Sequence, residues 1–178
     1  MYFEVFHIWR ENDTELLPLL RTLYSYSERE PDRATGWLWS DGQHGQLPPR
    51  DWPEALKDAG PELAEAIRRK SWRSPNRDAY TAAAYQAYLN GSGTGWHYDR
   101  EWDCQAILSL GVTRTFGVRS RENGKTAMVP VRHGSLLLMY PGFQDRFEHC
   151  VLPEPDVRGE RVSVVFRGCY RPLAALLS

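Results

Sequence analysis

The sequence has no long hydrophobic run and no excess of one charge. The apolar run from Leu136 to Tyr140 is five residues long, whereas a helix that spans a bilayer needs roughly 18. Lysine and arginine number 22, and aspartate and glutamate 23, for a net charge of -1. No overall basic field therefore indicates nucleic acid, and an anionic partner would have to be recognised by a local patch. We expect no membrane partner.

Cysteine is also scarce. Cys104, Cys150 and Cys169 are odd in number and follow neither a CxxC nor a zinc-finger spacing. This usage is typical of a reducing compartment and disfavours a disulfide framework. We predict a cytoplasmic protein whose cysteines are small core residues.

Helical signals occur in the first part of the chain. Leucines recur at i, i+3, i+4 and i+7 from Leu16, which predicts a helix over residues 13–29. Asp51 and Glu54 resemble a capping box and predict the start of a second helix. Between the two, residues 34–52 combine Gly, Pro and Trp without periodicity, which predicts a loop or a small irregular ribbon.

From Ala82 onward, short segments of β-forming residues alternate with turn residues. Asn123-Gly124 is a strong hairpin signal between two of these segments. About seven or eight short strands predict an antiparallel sandwich or jelly roll, with the helices packed outside one sheet. The segments read AAAYQAYL, AILSLGV, RTFGVRS, AMVPV, SLLLMY, FEHCVL and RVSVVFR.

The last of these strands carries two arginines on one face. Because side chains alternate with period two, Arg161, Ser163, Val165 and Arg167 share one face, and the residues between them share the other. Arginine presents a fixed fork of donors, so two inward arginines could hold the two ends of a small dicarboxylate. The pattern alone is equally typical of an edge strand with solvated arginines.

Three residues have the composition of a metal site. His97 and Asp99 lie two residues apart in GTGWHYDREWD, and His149 follows in RFEHCVLP. Two imidazoles and one carboxylate form the facial triad that binds non-haem Fe(II) and leaves coordination positions open. A single His-x-Asp could also be an ordinary polar turn.

The joint pattern resembles the AlkB family of Fe(II)- and 2-oxoglutarate-dependent dioxygenases. It consists of H-x-D, a histidine about fifty residues later, and R-x-S-x-x-x-R, with AYLNGSGTGWHYDRE before it and RHGSLLLMYPG inside it. The resemblance covers about Gln86 to Arg167. It implies an α+β, mainly β fold: a double-stranded β-helix, or jelly roll, with N-terminal supporting helices.

The resemblance also implies cofactors and their ligands. His97, Asp99 and His149 match the family's iron ligands. Arg161 matches the arginine that pairs with the distal carboxylate of 2-oxoglutarate, and Arg167 matches the second arginine, near the carboxylate at the metal. The implied cofactors are Fe(II) and 2-oxoglutarate.

Four further positions follow from the same resemblance. Tyr88 falls where the family has a tyrosine that bonds the co-substrate. Gln86 and Ser163 stand where many members have asparagine, although the Ser163 hydroxyl could bond the same carboxylate. Glu101 sits where the family places an acidic side chain that reads the exocyclic amine of a damaged base.

Tryptophans before and beside the metal motif are candidates for substrate binding. In family members that repair nucleic acid, aromatics of a lid stack on a flipped base. Packing of helix against sheet is an equally good account of such tryptophans. The candidates are Trp37, Trp39 and Trp102, with Trp52 and Trp96 nearby.

Basic residues around the predicted hairpin form a candidate phosphate-binding rim. A solvated face is the alternative account of the same charges. The residues are Arg114, Arg119, Arg121 and Lys125.

We interpret residues 1–178 as one AlkB-like dioxygenase domain and a monomer. Residues 1–80 are expected to supply helical support and a substrate lid, and residues 81–170 the jelly-roll core. The leading substrate hypothesis is an N-alkylated base, such as 1-methyladenine or 3-methylcytosine, in single-stranded DNA or RNA. The alternatives are a 2-oxoglutarate-dependent hydroxylase or demethylase of a small molecule or protein side chain, and a non-enzymatic cupin-like metal-binding module.

Overall fold

A computed structural model describes residues 3–7, 16–42, 47–70 and 80–170. Within these residues, nine strands form two antiparallel sheets. The strands are β1 (Phe3–His7), β2 (Arg33–Ser40), β3 (Tyr80–Leu89), β4 (Trp102–Gly111), β5 (Arg114–Ser120), β6 (Thr126–Val131), β7 (Ser135–Met139), β8 (Phe147–Val151) and β9 (Glu160–Tyr170). The major sheet has the order β1-β7-β4-β9-β3-β2, and the minor sheet the order β6-β5-β8. This is the predicted jelly roll.

The two faces of the major sheet belong to two different cores. On the outer face, alternate residues such as Val162, Val164 and Phe166 pack against the helices. On the inner face, Val165 and Ile107 pack against Phe116 and Val118 of the minor sheet. The period-two alternation predicted for the last strand is therefore confirmed. This strand, β9, is not an edge strand, because it lies between β4 and β3 in the major sheet.

The first helix is shorter than its leucine pattern predicts. Helix α1 spans Leu16–Arg21, and residues 13–15 lie outside the described part of the chain. After Arg21 the chain turns, and the hydroxyls of Tyr24 and Tyr26 donate to Glu160 Oε1 at 2.7 and 3.2 Å. These tertiary bonds hold the segment in a non-helical path that local periodicity does not reveal.

The second helical stretch lies where it was predicted, but without its predicted cap. A short 3₁₀ helix (Glu54–Leu56) precedes α2 (Ala59–Lys70), which buries Leu63 and Ile67. Pro53 occupies the N-cap position of the 3₁₀ helix, with no side-chain capping bond. The Glu54 carboxylate pairs with Lys57 instead of completing a capping box.

The first part of the tryptophan-rich segment, predicted as a loop or a small irregular ribbon, is a strand: residues 34–40 belong to β2, and residues 41–42 and 47–49 are irregular. Strand β2 pairs with β3 along its whole length, although a bulge interrupts the register between Trp37 and Trp39. Trp37 lies opposite Ala84 and Trp39 opposite the neighbouring Ala83, so the two rings point to opposite faces of the sheet. Pairing with a neighbouring strand overrides the turn-like composition.

Strand β1 was not predicted; it pairs with β7 at the edge of the major sheet. Residues before 80 therefore contribute strands as well as helices, and the division of the domain at residue 80 remains a prediction. The Asn123-Gly124 hairpin is confirmed between β5 and β6, with Gly124 at φ 69°. A helix 4 residues long, α3 (Phe143–Arg146), leads into β8.

Two cysteines behave as predicted, since Cys104 and Cys150 are buried and belong to no disulfide. The side chain of Cys169 lies outside the described residues. None of the helices in the described ranges is long and apolar enough to cross a membrane.

Candidate metal centre

His97, Asp99 and His149 converge where the loop before β4 meets β8. A pair of backbone hydrogen bonds joins His97 to His149, with N···O distances of 3.0 and 2.8 Å. This bridge brings the loop before β4 against β8. One potential ligand atom from each of the three residues lies within 4.8 Å of the others. The structure thus forms the triad that the sequence spacing suggested.

The two histidines can each offer Nε2 to a metal. His97 Nδ1 lies 2.8 Å from the carbonyl oxygen of Gly95, which favours a proton on Nδ1 and a lone pair on Nε2. His149 Nε2 lies 3.6 Å from Asp99 Oδ2. Burial holds the pKa of His149 well below its ordinary value, and the neutral imidazole is the form that binds metal.

Asp99 is held as a carboxylate. Burial by itself would raise its pKa, but Arg167, His149 and the hydrogen bond from Gln105 outweigh burial and lower the pKa below its ordinary value. Arg167 Nη1 lies 3.8 Å from Asp99 Oδ1. The triad therefore presents two imidazole nitrogens and one anionic oxygen, the donor set that Fe(II) oxygenases use.

A cleft opens beside the triad. All five residues predicted to bind the co-substrate line this cleft together with the three metal ligands. The five predicted co-substrate residues come from the inner faces of β3 and β9, where Gln86 lies opposite Ser163 and Tyr88 lies opposite Arg161. The lining includes Gln86, Tyr88, Arg161, Ser163 and Arg167.

Arg161 is a buried cation with an incomplete set of partners. Its side chain is 1% exposed, its Nε donates to Ser109 Oγ at 3.0 Å, and its Nη1 is buried without a hydrogen-bond partner. Burial lowers the pKa of Arg161 to about 10, so the guanidinium remains charged at neutral pH. An unpartnered buried donor of this kind matches a carboxylate ligand.

Arg167 lies between the metal triad and two tryptophans. Its guanidinium is 5.5 Å from the ring centroid of Trp37 and 5.9 Å from that of Trp102. Its Nε is also buried without a partner. Two arginines with unused donors at two positions along one cleft fit a dicarboxylate such as 2-oxoglutarate.

The remaining cofactor candidates form a polar wall. Tyr88 is buried, and its hydroxyl donates to Gln86 Oε1 at 2.6 Å. Ser163 lies in register between Gln86 and Ser109, on the inner face of the sheet. Their position is known, and their role toward 2-oxoglutarate remains a prediction.

The substrate candidates are scattered. Trp37 lies on the cleft side of the sheet, and Trp102 is buried, 4% exposed. Glu101 is exposed in the turn that the bond from Trp102 N to Asp99 O closes. Trp39 lies away from the cleft: its ring stacks on Trp52 at 5.9 Å and 3° in the outer core, because the β2 bulge turns it to the other face of the sheet. Its role toward a substrate remains a prediction.

The predicted basic rim divides into buried and surface residues. Arg114 is 1% exposed and pairs with Glu154 at 2.8 Å, so it is not available to a phosphate. Arg119 pairs with Glu148 at 2.6 Å and covers the ring of Trp96 at 4.5 Å. Arg121 is exposed and covers the ring of Tyr98 at 4.1 Å, and Lys125 is exposed in the hairpin turn.

The sequence reasoning missed two polar residues of this site. Gln105 donates to the Asp99 carboxylate, and the Gln144 side chain accepts from the Asp99 backbone N–H. A glutamine inside a hydrophobic strand pattern was the available signal for Gln105. The short helix that carries Gln144 has no sequence signal of comparable strength.

Comparison with known proteins agrees with this geometry. Residues 18–167 match the 2OG-Fe(II) oxygenase superfamily. Over 89 residues the chain is 37% identical to "Alpha-ketoglutarate-dependent dioxygenase alkB homolog 3" of Rattus norvegicus. This match covers 42% of this chain and 30% of the rat protein. An "RNA replication protein" of Grapevine virus A (isolate Is 151) is 26% identical over 165 residues, 83% of this chain and 9% of the viral protein.

A solved structure of OsALKBH1 has the same fold. It matches with a TM-score of 0.55 at 18% identity and covers 93% of this chain and 97% of that chain. The family match extends over most of the chain, and the triad has the composition of a metal site. This chain is an AlkB-like member of the 2OG-Fe(II) oxygenase superfamily, with Fe(II) and 2-oxoglutarate as its cofactors.

Proposed function

We propose that this protein oxidatively demethylates N-alkylated bases, of the 1-methyladenine or 3-methylcytosine type, in single-stranded nucleic acid. When bound, Fe(II) and 2-oxoglutarate supply the oxidation: O₂ is consumed, 2-oxoglutarate becomes succinate and CO₂, and an N-methyl carbon is hydroxylated and leaves as formaldehyde. The protein has to hold these groups, place the base and exclude water.

The residues divide this work between them. His97, Asp99 and His149 would hold the metal and leave open positions for the co-substrate. Arg161 would bind the distal carboxylate of 2-oxoglutarate through its unused Nη1, and Arg167 would lie near the carboxylate at the metal. Tyr88, Gln86 and Ser163 would line the co-substrate between the two arginines.

The observation that carries the substrate proposal is a cationic and aromatic rim beside the triad. Tyr98, between two metal ligands, is flanked by Arg100 at 5.6 Å and Arg121 at 4.1 Å. Both arginines are exposed. Backbone phosphates are commonly bound by such arginines, and aromatic rings beside them accept a base by stacking.

The relatives add two supporting observations. The partial match is to an AlkB homologue, and a second match is to a segment of a protein named for RNA replication. The first of these relatives is matched over less than a third of its length. Its substrates therefore enter here as part of the proposal.

The direct test uses a single-stranded oligonucleotide that carries one 1-methyladenine or 3-methylcytosine. The protein is incubated with Fe(II), ascorbate, 2-oxoglutarate and air, and the oligonucleotide is weighed by mass spectrometry. We expect loss of one methyl group, abolished by His97→Ala. Intact oligonucleotide alongside accumulating succinate would overturn the substrate proposal and leave the oxygenase.

The rim formed by Tyr98, Arg100 and Arg121 can be tested separately by measuring oligonucleotide binding. Removing a phosphate contact reduces the salt slope of binding by about one, so Arg121→Ala and Arg100→Ala should each bind the oligonucleotide more weakly, with a flatter salt dependence. Arg69→Ala is the matched control, because Arg69 is an exposed arginine on α2, behind the major sheet. Equal affinities for all three variants would exclude the rim as a strand path.

Glu101 offers a test of base reading. If its carboxylate reads the exocyclic amine, Glu101→Ala should reduce demethylation far more than it reduces 2-oxoglutarate turnover without substrate. Equal losses in the two assays would contradict a role in substrate recognition.

A second candidate is oxidation of a small molecule or a protein side chain. It is favoured by the net charge of -1 and by the turning of Trp39 away from the cleft, which leaves fewer aromatics for a base. An enzyme of this kind should show no salt-dependent binding to the oligonucleotide. A non-enzymatic cupin-like module would consume no 2-oxoglutarate when loaded with Fe(II).

A further inference from the structure

Two buried glutamines converge on Asp99. Gln105, in β4, is 1% exposed, and its Nε2 donates to Asp99 Oδ2 at 2.6 Å. Gln144, in α3, is also 1% exposed, and its Oε1 accepts from the Asp99 backbone N–H at 3.0 Å. One comes from the major sheet and the other from the helix before β8, so Asp99 is held from two separate elements.

Burying an amide side chain is unfavourable unless its hydrogen bonds are satisfied. Gln105 lies on the inner face of β4, where its neighbour two residues on, Ile107, belongs to the apolar core. The Nε2 of Gln144 donates to Met139 Sδ at 3.4 Å, and a thioether is a weak acceptor. Among the described residues, the strongest side-chain hydrogen bond of each glutamine is therefore the one to Asp99.

Asp99 needs such support because it lies in a loop outside the described strands. A carboxylate on a loop can rotate and can present either one or both oxygens to a metal. The Gln105 amide occupies a lone pair of Oδ2, and Arg167 lies on the side of Oδ1. Hydrogen bonds of this type commonly fix the orientation of a metal ligand.

We propose that Gln105 and Gln144 are positioning residues of the metal centre. Gln105 holds the carboxylate in one rotamer, which restricts Asp99 to a single-oxygen ligand and keeps the other coordination positions free for the co-substrate. Gln144 holds the backbone of the same residue. The inference rests on the metal-binding part of the proposed function and is independent of the substrate.

The test measures metal binding rather than turnover. Gln105→Met keeps the volume of the side chain and removes the donor. We expect its affinity for Mn(II), measured by titration calorimetry on the apoprotein, to fall about 10- to 100-fold. The absorption spectrum of the Co(II) form should change as well, since it reports coordination number. Gln144→Met should weaken Mn(II) binding by a smaller factor.

Thr81→Val is the matched control, because the Thr81 hydroxyl is buried without a hydrogen-bond partner and Thr81 is not among the residues that line the cleft. Its Mn(II) affinity and Co(II) spectrum should equal those of the wild type. If Gln105→Met does not fold, Gln144→Met carries the test. The proposal is overturned if the folded variants bind Mn(II) within about twofold of the wild type with an unchanged Co(II) spectrum. Wild-type protein that binds no Mn(II) would instead overturn the metal centre, and with it the proposed function.

Discussion

Two regions of the inner jelly roll each contain a buried arginine, and they differ in how its donors are used. Arg114 and Arg161 are both 1% exposed. Arg114 Nε donates to the Glu154 carboxylate at 2.8 Å, and its Nη2 donates to the carbonyls of Gly91 and Leu152 at 2.8 and 2.6 Å. Arg161 donates to Ser109 and retains an unpartnered Nη1.

The difference separates a structural cation from a ligand-binding one. Arg114 joins β5 to the loops before the metal motif and after β8, and its charge is compensated within the chain. Arg161 has no recorded carboxylate partner within the described residues. A buried charge without a counterion is unfavourable in the folded protein, so such a group indicates a site where a ligand completes the interaction.

The largest expected effect is on folding, at Arg114. Arg114→Met should lower the free energy of unfolding by about 3 to 5 kcal/mol, because it removes the charged partner of Glu154 and a donor to the carbonyls of Gly91 and Leu152. The affinity of the folded fraction for 2-oxoglutarate should stay the same. Urea unfolding measures the first quantity, and calorimetry on the Mn(II)-loaded protein the second. An unchanged unfolding midpoint would contradict the structural role.

Arg161→Met should have the opposite effect. We expect 2-oxoglutarate affinity to fall about 100-fold or more, because the carboxylate loses its charged partner. The free energy of unfolding should be unchanged or higher, since an uncompensated buried charge is removed. The same two measurements apply. A variant that keeps its 2-oxoglutarate affinity would remove the distinction between the two arginines.

The two tryptophans of β2 extend the comparison to a smaller effect. Trp39→Ala should lower the free energy of unfolding by about 2 to 3 kcal/mol, because it opens a gap against Trp52 in the outer core. Trp37→Ala should affect stability less and raise the KM for 2-oxoglutarate several-fold, since Arg167 loses a cation–π contact of about 1 kcal/mol. Equal effects of the two substitutions in both assays would contradict the placement of Trp37 and Trp39 on opposite faces of the sheet.

The smallest effect is a pH dependence at the Arg114 region. Burial alone would raise the pKa of Glu154, but hydrogen bonds from Thr115 and Arg114 hold it below its ordinary value of 4.5. A lowered folded-state pKa contributes stability above pH 4.5 that is lost as the pH falls through the folded-state pKa. Urea midpoints of the wild type should therefore decrease more between neutral and acidic pH than those of Glu154→Gln. Parallel pH profiles would argue against the Glu154 contribution.

Local pattern was sufficient for the parts of the molecule that repeat with a short period or carry distinctive chemistry. Alternation in RVSVVFR placed Arg161 and Arg167 on the same face of the strand, because successive side chains of a strand point to opposite faces. Asn-Gly placed the hairpin, because its residues tolerate positive φ. The three metal ligands were recognisable because few residue types bind Fe(II), and their order along the chain matched a known family.

Only the tertiary structure decided which of these residues have partners. Glu154 lies 40 residues from Arg114 along the chain, and Tyr24 lies 136 residues from Glu160, so no local signal predicts either contact. The bulge that separates Trp37 from Trp39 depends on pairing between β2 and β3. Sequence determined which chemistry was present. Folding determined which donors were satisfied, because a hydrogen bond depends on distances that distant segments set together.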